Sequence, residues 1–125
     1  MLVVGGGPAG LLAAETTASA GLSTLVLERE SEIGDPVRTS GGTSVETMRR
    51  FDIPERFYHV LKRLRFCSLR EKAAFEFQEP VGCITDVREM YRHLAERASS
   101  NGASILTGVN AESLIFEGGE IAGLT

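Results

Sequence analysis

The stretch Leu2-Val3-Val4-Gly5-Gly6-Gly7-Pro8-Ala9-Gly10, continued by an Ala- and Leu-rich segment to Ala20 and closed by Gly21 and Ser23-Thr24-Leu25-Val26-Leu27-Glu28, decides the fold. Leu2 to Val4 is a short, wholly apolar run that stops at Gly5, the pattern of a parallel strand buried on both faces. Pro8 to about Ala20 begins with a proline and is followed by a glycine, the asymmetry that marks the start and stop of a helix. Ser23 to Leu27 is a second buried strand. Strand, helix and strand in such close succession form a right-handed βαβ unit.

Gly5-Gly6-Gly7-Pro8-Ala9-Gly10 satisfies G-x-G-x-x-G, a weak signal alone that its surroundings make strong. Gly5 permits the tight turn off the strand. Gly7, without a side chain, lets backbone approach a pyrophosphate, and Gly10 allows the helix to pack closely on the strand. Pro8 and Ala9 complete the helix start, whose free N–H groups and positive dipole end suit phosphates. Ala14, one turn after Gly10, keeps the helix surface small where it meets the sheet. Glu28 lies at the end of the second strand, where a carboxylate can accept hydrogen bonds from both ribose hydroxyls of an adenosine. It would repel a 2′-phosphate, so the adenosine belongs to FAD or NAD rather than NADP. As a strand-end surface group, Glu28 is expected to contribute little packing.

Around this unit the composition is that of an ordinary globular chain: 125 residues, 42% hydrophobic and 24% charged, enough for one domain or part of one. Thirteen Lys and Arg against seventeen Asp and Glu give a net charge of -4, without the basic excess that nucleic-acid binding requires. Two cysteines, Cys67 and Cys83, and two histidines, His59 and His93, have no zinc-site spacing and no triad partners. The apolar runs fall short of the ~18 residues of a membrane span, and no basic leader precedes one. A cytoplasmic, reduced setting is expected.

Residues 29 to 42 form a long loop with Gly34, Pro36, Gly41 and Gly42, a length that in compact domains usually has a function. Thr43 followed by Glu46 predicts a capping box opening a short helix to about Phe51. Alternation from Leu64 to Phe77 predicts two antiparallel strands within an inserted β segment, about 62–84. Asp86 with Glu89 three residues later opens a helix to about Ser100, its apolar side formed by Val87, Met90, Tyr91, Leu94, Ala95 and Ala98. Ala103 to Thr107 is a third parallel strand. Glu112 to Leu124 is a hairpin turning at Gly118-Gly119.

Val3-Val4-Gly5-Gly6-Gly7-Pro8-Ala9-Gly10, Leu27-Glu28-Arg29 and Glu32-Ile33-Gly34-Asp35-Pro36-Val37-Arg38 together resemble the N-terminal FAD segment of the geranylgeranyl reductase family, flavoproteins of the p-hydroxybenzoate hydroxylase fold. The likeness covers nearly the whole chain, and the E-I-G-x-P-V-R part is its more specific portion. It implies an α/β, Rossmann-like FAD-binding core with a parallel sheet, an inserted antiparallel β pair and a C-terminal β-hairpin, residues 1–125 being the N-terminal part of an FAD/NAD(P)-binding domain. It implies FAD held by Gly5, Gly7, Pro8, Ala9, Gly10, Glu28 and Arg29. Arg38 would stand near the isoalloxazine or ribityl end, and Arg88 near the ribityl and pyrophosphate region. Without the resemblance, both arginines read as surface charges.

The family often has P-V-R-C-G-E-G where this chain has Pro36-Val37-Arg38-Thr39-Ser40-Gly41-Gly42. Thr39 replaces the cysteine, so no thiol role carries over. The later Gly-Asp segment that completes such flavin sites has no counterpart in residues 108–125, and family members are about three times as long, so an incomplete domain is expected. The resemblance implies hydride transfer from NAD(P)H, a transient reductant, through FAD to an unsaturated small-molecule or prenyl-lipid substrate, with peripheral membrane contact open. The residues also accommodate an FAD-dependent aromatic monooxygenase, an NAD-dependent dehydrogenase domain or a non-catalytic dinucleotide-binding module.

Overall fold

The structure is a computed structural model that describes residues 1–80 and 82–125. In chain order the elements are β1 (Leu2–Val4), α1 (Pro8–Ser19), β2 (Leu25–Leu27), β3 (Gly42–Ser44), α2 (Val45–Arg50), β4 (Tyr58–Leu61), β5 (Arg63–Cys67), β6 (Lys72–Glu76), β7 (Gly82–Thr85), α3 (Val87–Ser100), β8 (Ser104–Leu106), β9 (Leu114–Glu117) and β10 (Glu120–Leu124). A 3-10 turn at Glu55–Phe57 precedes β4. The chain divides into one unit of residues 1–36 and 91–125 and a second of residues 37–90.

In the first unit, β1, β2 and β8 form a parallel sheet in the order β1-β2-β8, with Val3 opposite Val26 and Val26 opposite Ile105. These three residues share one face because side chains alternate along a strand. They pack with Ala14 and Ala18 of α1, with Ala98 near the end of α3 and with Ala103 just before β8. Small residues at the helix–sheet contact let the backbones approach closely, as expected for Ala14, which is fully buried. Helix α1 ends where Gly21 adopts φ +83°, a left-handed conformation that glycine adopts without penalty.

Within residues 1–125 the first strand is covered on one face, where burial on both is expected. Val3 is buried, but Leu2 is 47% and Val4 59% exposed. Both helices lie on the Val3–Val26–Ile105 side, and an all-apolar run carries no information about which of its faces is covered. The hairpin of β9 and β10 forms as expected. Gly118 and Gly119 both have positive φ, as a two-residue turn matching the strand twist requires.

In the second unit, β5 and β6 make the expected antiparallel pair. A three-stranded antiparallel sheet in the order β3-β7-β4 stands beside that pair in sequence and was not foreseen. Its central strand, β7, carries Cys83 opposite both Thr43 and Val60. Cys83 is buried, its Sγ donating to the Thr43 carbonyl at 3.7 Å, and burial pushes its thiol pKa up. It is therefore a packing residue. Val81, inside the segment expected as an insertion, lies outside the described residues.

The expected capping box is displaced by one residue. Thr43 belongs to β3, and Ser44 is the N-cap of α2, its Oγ accepting the Thr47 N–H at 3.0 Å. Pairing of Thr43 with Cys83 keeps the chain extended through Ser44, so the next hydroxyl takes the cap. At α3 the expected cap is present: Asp86 Oδ1 accepts the Glu89 N–H at 3.3 Å.

Candidate functional site

The glycine turn between β1 and α1 is built from three residues held in three ways. Gly5 has φ +100°, which other residues adopt only under strain, and its N–H donates to the Leu27 carbonyl at 2.8 Å. Gly6 is buried, and a Cβ there would collide with Ile33 Cδ1 and lie 3.2 Å from Glu28 Oε2. Gly7 faces open space: a Cβ on it would meet nothing within 4 Å. Gly7 is also the N-cap of α1, without a side-chain cap, and Pro8 takes the first helical position. The first intrahelical bond runs from the Leu11 N–H to the Gly7 carbonyl at 2.9 Å. The N–H groups of the first turn, those of Ala9 and Gly10, precede that bond and have no acceptor inside the helix.

Gly10 sits where α1 crosses β1. A Cβ at this position would overlap the Gly5 carbonyl oxygen and come within 3.3 Å of Val3 Cγ1. The third glycine of the motif is thus fixed by helix–strand packing, as its spacing implied.

Glu28 does more than the strand-end surface role expected of it. Its Oε2 accepts the Gly6 N–H at 2.6 Å and its Oε1 accepts the Glu30 N–H at 2.9 Å. Its own N–H donates to the Leu106 carbonyl at 2.8 Å, and its carbonyl accepts the Val109 N–H at 2.9 Å. The half-buried carboxylate therefore ties the glycine turn to the end of β2. Burial alone would raise its pKa, but backbone N–H groups of Glu30, Gly6 and Arg29, with the Arg29 guanidinium, outweigh burial and hold it below the ordinary glutamate value. Arg29 is exposed and its Nε lies 3.3 Å from Glu30 Oε1.

The structure brings Gly5, Gly7, Pro8, Ala9, Gly10, Glu28 and Arg29 together in the first unit, whereas Arg38 and Arg88, both exposed, belong to the second. The segments bearing the two arginines are joined there. Gly41, with φ +72°, presents a carbonyl that accepts both the Thr85 N–H at 3.0 Å and the Thr85 hydroxyl at 3.1 Å. Gly41 thus fixes the loop that carries Arg38 against the strand end that leads into Arg88.

The parts played by Gly6 and Ile33 escaped the motif reading. Gly6 occupies the unspecified position of G-x-G-x-x-G, yet its N–H and its missing Cβ are both used. Ile33, buried, fills the space beside it. The signal was the Glu32-Ile33-Gly34 sequence: an isolated apolar residue in a polar loop.

The turn fits the diphosphate of a dinucleotide: the side of Gly7 is open, uncapped N–H groups stand at the helix start, and an ionised carboxylate ends β2. Residues 1–123 match the model of the FAD binding domain family, and the chain belongs to that family. It is 35% identical, over its whole length, to the digeranylgeranylglycerophospholipid reductase of Methanocella arvoryzae, covering 33% of that protein. It is similar to the crystal structure of a geranylgeranyl bacteriochlorophyll reductase-like protein of Thermoplasma acidophilum, with TM-score 0.86, 33% identity, and coverage of 98% of this chain and 33% of that one. The myxobacterial chondrochloren halogenase, an FAD-dependent halogenase, shares the fold with TM-score 0.71 at 19% identity, covering 98% of this chain and 31% of that one. The resemblance drawn from the loop and glycine motifs is borne out. The chain spans about a third of the length of the curated relatives it matches. Among the described residues, no helix is long and apolar enough to cross a membrane.

Proposed function

We propose that this chain is the FAD-binding part of a flavin-dependent reductase whose substrate is an unsaturated prenyl lipid and whose reductant is NAD(P)H. The observation that carries the reading is the meeting, in one unit, of the open glycine turn, the uncapped start of α1 and the ionised Glu28. The lipid and the reduction come from the name borne by relatives similar along the whole chain.

In this reading Gly7 admits the diphosphate to backbone distance, and the N–H groups of Ala9 and Gly10 donate to it with the dipole of α1 behind them. Pro8 contributes by setting the helix start without consuming a donor. Each Glu28 oxygen holds one close backbone N–H and keeps a second lone pair for a ribose hydroxyl. Because the group stays ionised at neutral pH, it disfavours an added 2′-phosphate. Arg29 flanks that carboxylate, and the family resemblance assigns Arg38 to the isoalloxazine or ribityl end and Arg88 to the ribityl and pyrophosphate region. FAD held there would supply the chemistry for passing a hydride from a nicotinamide to a carbon–carbon double bond, with a proton from solvent completing the reduction.

The test is made on the full-length protein. Heat denaturation should release FAD in stoichiometric amount, and incubation with NADH or NADPH and a digeranylgeranylglycerol phospholipid should add one dihydrogen equivalent per double bond, read by mass spectrometry. Absence of flavin, or flavin without any reduction of the lipid, overturns the assignment.

A further inference from the structure

We propose that Ile33 is a positioning residue for the cofactor: its side chain closes over the Gly6–Glu28 hydrogen bond and so holds the Glu28 carboxylate in place for the ribose. The proposal rests on the FAD reading above and adds to it a residue that touches no ligand. Gly5, Gly6 and Gly7 have no side chains with which to pack, and glycine loses more conformational freedom on ordering than any other residue. The turn must therefore be ordered from outside. Backbone bonding supplies part of this, the Gly5 N–H donating to the Leu27 carbonyl at 2.8 Å and the Gly6 N–H to Glu28 Oε2 at 2.6 Å. The packing comes from Ile33, which is buried although the loop around it is polar. Its Cδ1 fills the space that a Cβ on Gly6 would need, and Glu28 Oε2 and Cβ lie 3.2 and 3.3 Å from that same point.

A tight turn delivers that side chain. The Asp35 N–H donates to the Glu32 carbonyl at 3.4 Å, so Ile33 and Gly34 are the two central residues, and Gly34 has φ +77°, as the second central position of a type II turn requires. Glu32, which opens the turn, accepts from Arg92 Nη2 of α3 at 2.9 Å. All of these residues belong to the first unit, and the contact is complete among them. An apolar cover does two things for a hydrogen bond to a carboxylate. It excludes water that would compete for the Gly6 N–H, and it lowers the local dielectric, which strengthens the bond. With Glu28 Oε2 on Gly6 and Oε1 on the Glu30 N–H at 2.9 Å, the carboxylate is fixed before the cofactor arrives, and binding then requires less ordering.

The test uses the full-length protein stripped of flavin, with circular dichroism confirming that each variant is folded. FAD is titrated calorimetrically and, separately, ADP, which carries only the adenosine and the diphosphate. Ile33→Val removes a single methyl group, Cδ1 itself, and should weaken both ligands by the same factor, about fivefold, whereas Ile33→Ala should weaken them about tenfold or more. In a Glu28→Ala background either change should weaken binding by less than about twofold, because the group it acts through is gone. Hydrogen exchange gives a readout without ligand: in the flavin-free Ile33→Ala protein the peptide that includes Gly6 should exchange about tenfold faster than in wild type. Where the alanine variant does not fold, the valine variant decides. Ile33 variants that bind FAD like wild type while Glu28→Ala binds weakly would overturn the proposal and leave the FAD reading standing. An equal loss in both backgrounds would also overturn it, since Ile33 would then act by its own packing alone. Wild-type affinity in Glu28→Ala would overturn the ribose role and this proposal together.

Discussion

Replacing Glu28 separates the fold from the cofactor, because its carboxylate serves both. In Glu28→Ala the N–H of Gly6, the buried residue of the turn, loses its acceptor at 2.6 Å, and the Glu30 N–H loses one at 2.9 Å. Hydrogen bonds to charged groups contribute about 1.5–3 kcal/mol, a loss that for a buried donor left alone is set by its desolvation, about 1–3 kcal/mol. The Glu30 N–H is only half-buried and can turn to water, so most of the loss falls on Gly6. The alanine variant should therefore lose about 2–4 kcal/mol of stability. Glu28→Gln keeps one carbonyl acceptor but turns an NH2 towards the other donor, and should lose about half as much. Under the proposed function, FAD affinity falls roughly tenfold in the glutamine variant and up to a hundredfold in the alanine variant.

The assay is urea denaturation of the flavin-free full-length protein, paired with calorimetric titration of FAD into each variant. Full stability in Glu28→Ala would refute the tie between β2 and the glycine turn. Wild-type FAD affinity in both variants would refute the ribose role while leaving the tie standing. The pH dependence adds a third reading. The Glu28 carboxyl titrates lower in the folded chain than in the unfolded one, so as pH falls the unfolded state takes up this proton first. Its contribution is full near neutrality and is lost as pH drops below the ordinary glutamate range through the folded value. Glu28→Gln should flatten that part of the acid limb of the stability curve; an unchanged limb would show that other carboxylates govern it.

The other glycines make a paired test. Gly10→Ala places a methyl on the Gly5 carbonyl oxygen and against Val3, and should cost about 1–3 kcal/mol in chemical denaturation. Gly7→Ala, with open space and an ordinary φ of -79°, should cost under about 1 kcal/mol yet lower FAD affinity at least several-fold, so equal flavin binding would show that the diphosphate does not pass this side. Gly41→Ala combines φ +72° with a Cβ only 2.8 Å from the Thr85 carbonyl oxygen, and should lose about 2–4 kcal/mol of stability, while a near-neutral result would mean that the Gly41–Thr85 junction yields easily. Arg97→Met removes a partly exposed ion pair with Glu15 at 2.9 Å and should cost about 1 kcal/mol or less, measured the same way.

What could be read from sequence was what neighbouring residues determine. Strand, glycine turn, helix and strand lie within residues 2–27, and each boundary has its own local marker: Gly5, Pro8, Gly21. The same holds for Asp86 capping α3 and for Gly118-Gly119 turning the last hairpin. Strand β3 has no such marker. Gly42, Thr43 and Ser44 have little intrinsic reason to extend; they do so by pairing with Ile84, Cys83 and Gly82, some forty residues away. The error at the α2 cap follows from that pairing, since an unseen strand partner moved the helix start from Thr43 to Ser44. Exposure of Leu2 and Val4 was hidden for a related reason: burial is a property of what lies opposite, and the strand's own residues do not encode it.

The site divides in the same way. Gly5, Gly7, Gly10 and Glu28 could be singled out because each has a separable physical task at a fixed spacing. Arg38 and Arg88 came only from the family resemblance, and the bonds that hold their segments, through Gly41 and Thr85, join residues more than forty positions apart. Gly6 shows most clearly why a motif understates its own constraint. The pattern leaves that position free, since a ligand need not touch a side chain there. Once residue 28 is a glutamate whose carboxylate reaches back to the turn, and residue 33 is an isoleucine packed beside it, no side chain fits and the N–H is already engaged. Position 6 is thus restricted by the protein's own packing, not by the cofactor. A substitution there should disturb the flavin-free fold as much as the loaded one, whereas a change at Gly7 acts chiefly when the diphosphate is present.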